Sequence, residues 1–246
     1  MYSYMLDLGQ EITNLGTVYP VKLKNMQKLS MYGWVVEKNK KSLNRENDDM
    51  SLLEMLVEED LNQEDENKRG LFLHCLTEFI KLTTCCEKVE FNPSSLTWFV
   101  GEDTEEKDER CFLNSTNFEE FREITSKQNL IFEKRYHKPA FQKRLDKAMK
   151  ARRKKNKGIS IDSMITIVSL EMGILSKYII EEMSYIEFIA MFQRIQLRES
   201  ARASIQYASS GNFKDVTIED YAKELDLFKH PEDGLFKSEN PFGGKI

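Results

Sequence analysis

Lys68-Arg69-Gly70-Leu71-Phe72-Leu73-His74-Cys75-Leu76-Thr77-Glu78-Phe79-Ile80-Lys81-Leu82-Thr83-Thr84 is the stretch from which the fold is read. Leu71, Phe72, Cys75, Leu76, Phe79 and Ile80 recur at three- and four-residue intervals, the spacing that stacks side chains on one helical face. A buried helix is predicted over 68–84, with His74 read as a packed residue and not as a base. Directly downstream the pattern changes. Lys88-Val89-Glu90-Phe91, Leu96-Thr97-Trp98-Phe99-Val100 and Cys111-Phe112-Leu113 read as three short strands. Asn92-Pro93-Ser94-Ser95 is a turn between the first two, and the acidic run Glu102–Glu109 is a loop before the third.

Upstream, Thr17-Val18-Tyr19-Pro20-Val21-Lys22-Leu23 alternates and is β-rich, with Pro20 placing it at an edge. Met26, Leu29, Gly33 and Val36 mark one helix face, and Leu52, Leu53, Leu56 and Val57 a short helix. After Asn114 the pattern is helical throughout. Thr116 or Asn117 caps a helix with Phe118, Phe121 and Ile124 that ends near Gln128. A break at His137-Lys138-Pro139 leads into a long basic helix from Ala140 to about Gly158. Ser160 or Asp162 then caps a helix with Ile161, Ile165, Val168 and Met172 on its face. Gly173 is the turn, Ser176 opens a short helix and Ser184 a longer one. One helical turn is expected around 218–225, followed by a mobile end. The fold class is therefore α+β and predominantly α. A small antiparallel β element sits with helices in residues 1–113, and a helical part follows in 114–246.

The chain has 246 residues, with 36 Lys and Arg against 41 Asp and Glu. A net charge of −5 excludes a generic polyanion binder, but the charge is unevenly spread. Residues 46–66 hold ten acids and no base, whereas 133–157 hold twelve bases against Glu133 and Asp146. That asymmetry predicts an interacting arm, or pairing of the basic helix with the chain's own acidic run. The start, Met1-Tyr2-Ser3-Tyr4-Met5-Leu6-Asp7-Leu8, lacks the pattern of a secretory signal. The most apolar stretch, 164–180, carries Glu171 and Lys177 and is short for a membrane span. Cys75, Cys85, Cys86 and Cys111 have neither disulfide-framework nor zinc spacing and read as reduced thiols in a cytosolic setting.

Catalytic patterns are almost absent. No phosphate-binding glycine loop, His-Glu-x-x-His or Gly-x-Ser-x-Gly occurs, and His74, His137 and His230 lie far apart in sequence. Glu105-Glu106-Lys107 matches the Glu-x-Lys of metal-dependent nucleases. It sits in a polar run without strand alternation, so a solvated loop is the preferred reading. No catalytic residue, metal ligand or cofactor is expected. Lys143, Lys147 and Lys150 share one face of the basic helix and form a charge-driven contact surface for a polyanion or acidic protein. The helix–Gly173–helix has a helix-turn-helix outline, but Glu181 and Glu182 in its second helix would face phosphates, which weighs against nucleic-acid binding. Tyr185, Phe188, Phe192 and Ile195 form an apolar stripe. It is either core or one wall of a partner-binding groove.

Asn117-Phe118-Glu119-Glu120-Phe121-Arg122-Glu123-Ile124 and Gln128-Asn129-Leu130-Ile131-Phe132-Glu133 are followed by the Lys138-Pro139 segment and basic helix, then Ile161–Gly173. Tyr185-Ile186-Glu187-Phe188 with Phe192-Gln193-Arg194-Ile195 comes after, and Tyr19-Pro20-Val21-Lys22-Leu23 lies near the start. This layout, over about Tyr19 to Tyr207, resembles the tail assembly chaperone-like proteins of phages and prophages of Gram-positive bacteria. The resemblance implies a non-enzymatic protein of the host cytoplasm that coats the tape-measure protein or other tail components until the tube polymerises, with self-association allowed and no membrane partner. Two other roles stay open: a structural tail or baseplate component kept in the particle, and a nucleic-acid-binding regulator using 143–157.

Overall fold

The computed structural model describes residues 9–43, 45, 48–101, 111–135, 137–155, 159–210, 218, 220, 222 and 225–233. The fold is α+β and predominantly α. In chain order it runs β1 (Gln10–Ile12), β2 (Gly16–Val18), α1 (Met26–Tyr32), α2 (Leu52–Leu61), α3 (Leu71–Thr84), β3 (Val89–Asn92), β4 (Thr97–Val100), β5 (Cys111–Leu113), α4 (Phe118–Gln128), α5 (Pro139–Lys155), α6 (Ile161–Met172), α7 (Ser176–Glu182) and α8 (Tyr185–Ser209). The expected turn around 218–225 and Glu105-Glu106-Lys107 lie wholly or largely outside the described residues.

The helix α3 is the centre of the first core. Its Phe72, Leu76, Phe79 and Ile80 are buried, and Phe79 meets Phe121 of α4 edge-on with ring centroids 5.9 Å apart. His74 departs from the expectation: it is exposed and lies edge-on to Tyr32 at 6.2 Å. It follows Leu73 on the solvent side of the stripe, so the helical register keeps it out of the core. The N-terminus of α3 is capped from another helix. The buried carboxylate of Asp60 in α2 accepts from Phe72 N at 3.0 Å and Leu73 N at 3.2 Å, placing a carboxylate where the helix dipole is positive. Strands β3, β4 and β5 form an antiparallel sheet in that order, with Trp98 opposite Phe91 and Leu113. Fully buried Trp98 donates from Nε1 to Thr77 Oγ1 at 3.0 Å, locking the sheet to α3. Where Gly33 follows α1, a Cβ would meet Ile131 Cδ1 at 3.0 Å, so glycine lets the chain approach residues after α4 closely.

Helix starts follow local chemistry in some places and tertiary demand in others. Ser51 Oγ accepts from Glu54 N while Glu54 Oε2 accepts from Ser51 N, a complete capping box. Of the two candidate caps of α6, Ser160 is the one used, with Asp162 in the first turn, and Ser184 caps α8; each serine accepts at 3.2 Å from the backbone N–H three residues on. Asn117 occupies the cap position of α4 without capping it. Its buried side chain accepts from Asn114 N and donates to Thr13 O and Phe112 O, tying β1, β5 and α4 together. Ser176 is the first residue of α7 and Leu175 its uncapped N-cap.

A second core comprises Ile165, Val168, Ile179, Met183, Phe188, Phe192 and Ile195, joined by Leu23 from the N-terminal part. Residues 18–23 connect the two cores as a segment whose backbone is hydrogen-bonded to both. Tyr19 N donates to Thr83 O at 2.7 Å, Leu23 N to Met183 O at 2.9 Å, and Tyr185 N to Val21 O at 2.9 Å. Two buried amide side chains at the end of α4 complete the set. Gln128 Nε2 donates to Val18 O at 3.2 Å, and Asn129 Oδ1 accepts from Val21 N at 2.8 Å. Pro20 falls between them, where no N–H needs a partner.

Asn129→Ala leaves the buried Val21 N–H without an acceptor. The expected cost is about 1–3 kcal/mol in urea unfolding, against less than about 0.5 kcal/mol for the exposed Lys127→Ala. Glu54 offers a pH test. The Ser51 hydroxyl and backbone N–H hold its carboxyl below the usual range. The capping contribution is therefore present above the unfolded value near 4.5 and lost as pH falls through the lower folded value. Ser51→Ala should cost about 1 kcal/mol at neutral pH, and the gap to the parent should narrow on acidification in the same assay.

Candidate functional site

The four residues of the apolar stripe are brought together, but as interior. Phe188 is fully buried, Phe192 and Ile195 nearly so, and Tyr185 packs partly buried against both cores. Burial pushes the Tyr185 phenol above its ordinary range. Their stripe faces the second core. The reason is geometric: α8 lies against α6, and Leu23 arrives on the same face. That apolar stripe is spent on the second core.

The apolar surface that remains outside lies at the α6–α7 corner. Leu170 is 78% exposed and Leu175 79%, and Met172, Tyr178 and Ile180 are also exposed. The 100° step explains the split. Ile165 and Val168 turn inward on α6, which puts Leu170 on the opposite side, and inward Ile179 on α7 leaves Tyr178 and Ile180 on its flanks. Gly173, with φ +65°, takes the left-handed C-cap of α6 and lets the chain turn at once. Five large apolar side chains within 170–180 make a concentration unlike scattered surface leucines. A wheel of α6 alone marks Leu170; Leu175 needed the position of α7. No single helix among the described residues is long and apolar enough to cross a membrane; α6 and α7 reach that apolarity only as a pair, bent by 112°.

Basic residues surround a different part of the surface. Lys143, Lys147 and Lys150 on α5 are exposed, and among the described residues none of them makes an ion pair. Among the described residues, these three lysines form no pair with the acidic run. Glu59 pairs with Lys38 at 2.9 Å, Glu58 and Asp48 with Arg45 at 2.5 and 2.6 Å, and Asp65 with Lys68 at 3.1 Å. Near neighbours in the chain reach these carboxylates first. At the α6–α7 corner, Glu181 and Glu182 are likewise neutralised by Lys24 and Lys22 at 3.0 and 2.9 Å. No group of His, Cys, Asp and Glu among the described residues has metal-binding geometry.

Residues 225–233 are docked, not free. Leu227 is buried, Arg135 pairs with Asp233 at 2.6 Å, and His137 Nε2 lies 2.8 Å from Glu232 Oε2. His137 and His230, distant in sequence, thus meet the same short contact. Nothing in the composition of the tail signals this.

No family model, curated protein or solved structure matches the chain.

Leu170→Ser and Leu175→Ser should leave the thermal unfolding midpoint nearly unchanged, within about 0.5 kcal/mol in stability. Phe188→Ala should cost about 3–5 kcal/mol. Equal losses from both kinds of substitution, measured by denaturant titration, would mean the corner is covered in the folded protein.

Proposed function

We propose that this is a non-enzymatic assembly chaperone of phage tail morphogenesis, which holds an amphipathic helical segment of the tape-measure protein or another tail component in the host cytoplasm. The observation that carries the reading is the exposed α6–α7 corner, with Leu170, Met172, Leu175 and Tyr178 unspent on either core. An apolar surface on a rigid scaffold captures a partner helix by burying its apolar stripe, worth about 25 cal/mol per Å² removed from water. The choice of partner rests on the resemblance of the layout to tail assembly chaperone-like proteins. The corner replaces the Tyr185–Ile195 stripe as the capture surface in this reading.

A second reading, a nucleic-acid-binding regulator, has its own observations. The 112° angle between α6 and α7 suits a helix-turn-helix. Lys22 and Lys24 remove the charge objection to Glu181 and Glu182, and Lys143, Lys147 and Lys150 stand free of ion pairs among the described residues. Against it, α7 offers Lys177 as its lone cation, so duplex binding is expected to be weak and without sequence preference.

Co-expression with the tape-measure protein of the same phage separates the two. The parent chain should co-purify with it, Leu170→Asp/Leu175→Asp should lose at least tenfold of the captured partner, and Lys143→Glu/Lys147→Glu/Lys150→Glu should retain it. Tight, sequence-specific duplex binding that the triple reversal abolishes, with tail assembly intact, would replace the chaperone reading by the regulator.

A further inference from the structure

The cysteines of α3 and its end sit in three different settings. Cys75 is buried in the first core, and burial pushes its thiol up, which keeps it from reacting as a thiolate. Cys86 packs partly buried against that core, and its thiol donates to Lys88 O at 3.4 Å. Cys85, between them, is exposed at the C-cap of α3.

Packing does not account for Cys85. Its backbone is left-handed, with φ +56° and ψ +26°, a conformation that a Cβ disfavours and that glycine adopts freely. The residue is exposed. Neither burial nor backbone geometry therefore calls for cysteine at 85. What the position offers is a cation, Lys22, on the segment that joins the two cores. The Glu182 carboxylate and, after it, the charge of a Cys85 thiolate hold the Lys22 ammonium above its ordinary range. Lys22 Nζ donates to Glu182 Oε2 at 2.9 Å. An ammonium has three protons to give, so the pair with Glu182 leaves donors for a second anion. A neighbouring ammonium steadies a thiolate, which is the nucleophilic form of cysteine.

Adjacency supplies the second thiol. A trans peptide joins residues 85 and 86, which sets their Cα atoms about 3.8 Å apart, below the span of about 4.4–6.8 Å that disulfides favour. A ring through both sulfurs and the intervening peptide closes under strain, and strained, exposed disulfides are the readily reduced ones.

We propose that Cys85 and Cys86 form a reversible oxidation site for hydroperoxides, with Cys85 the thiol that reacts first and Cys86 the thiol that resolves it. The Cys85 thiolate attacks one peroxide oxygen. An S–O bond forms, the O–O bond breaks, and the second oxygen takes up the proton that Cys85 released and leaves as water. The Cys86 sulfur then attacks the sulfenic sulfur of Cys85. An S–S bond forms, the S–OH bond breaks, and the hydroxide leaves with the Cys86 proton as a second water. Two thiols lose two electrons and the peroxide gains them. Closing the ring takes Cys86 away from Lys88 O. Thr83, just before Cys85, accepts from Tyr19 N at 2.7 Å, so the oxidised ring adjoins the anchor of the segment between the two cores. This inference goes beyond the tail-assembly reading and does not rest on it.

The test uses the full, reduced chain and hydrogen peroxide. Trypsin releases both thiols in one peptide, residues 82–88, and Cys111 in another. The 82–88 peptide should become lighter by two hydrogens and regain them with a thiol reductant, at least tenfold faster than Cys111, the other exposed thiol, is oxidised. In Cys86→Ser the reaction should stop at a Cys85 sulfenic acid that dimedone traps. Lys22→Gln should slow oxidation of Cys85 at least threefold. Equal rates at Cys85 and Cys111 in the parent chain overturn the proposal. So do a disulfide formed between chains in place of the ring, an absence of sulfenic acid in Cys86→Ser, or an unchanged rate in Lys22→Gln.

Discussion

An extended chain inside a folded protein must find a partner for every peptide group, and residues 18–23 are where this molecule meets that demand. The segment has no neighbouring strand along most of its length. Its N–H and C=O groups go instead to Thr83 at the end of α3, to Gln128 and Asn129 at the end of α4, and to Met183 and Tyr185 at the α7–α8 junction. Thr83, Met183 and Tyr185 use backbone groups at helix ends, which are short of intrahelical partners, while Gln128 and Asn129 use their side-chain amides. The ends of α3, α4 and α7, the start of α8 and one strap thus satisfy each other. The side chains repeat the arrangement: Val21 joins the first core and Leu23 the second. With the strap in place, α8 is held with Phe188 facing inward, and the α6–α7 corner is left outside.

The same logic of local satisfaction governs the charges. The acidic run is served by Lys38, Arg45 and Lys68, which are close in the chain and need little ordering to reach it. Exposed pairs add little stability each, so their effect is mainly to decide which charges stay available. Among the described residues, Lys143, Lys147 and Lys150 of α5 stay out of ion pairs. At the other side of the break before α5, Arg135 and His137 are taken by the tail. Lys143, Lys147 and Lys150 are exposed, whereas Arg135 and His137 are occupied because a carboxylate-bearing segment returns to them.

How much of this was legible depends on the range of the cause. Helix α3 could be read from its own period, and the three strands of the sheet from their alternation and the turn between the first two. Ser160 and Ser184 announced α6 and α8 because a cap acts within three residues. Asn117 shows the limit. Its residue type and position both say cap, yet its side-chain oxygen accepts from Asn114 N instead of from the helix, and its amide nitrogen donates to Thr13 O and Phe112 O, partners set by the tertiary structure. His74 shows a smaller limit: being inside an apolar helix does not place a side chain on the apolar face.

The sequence by itself determined the α+β, mainly helical class, the order of the elements, the caps and turns at Ser160, Gly173 and Ser184, and the separation of an acidic from a basic region. These follow from backbone sterics, helical period and near-neighbour hydrogen bonding, all of which act within a few residues. Only the tertiary structure decided which apolar stripe is spent. Residues 185–195 and 170–180 are both rich in large apolar side chains, and it is the packing of α8 on Ile165 and Val168 of α6, joined by Leu23 from the distant N-terminal part, that buries one and leaves the other at the surface. It also decided that residues 225–233 fold back onto Arg135 and His137. Burial is a property of what lies opposite, and a sequence pattern describes one side of a contact.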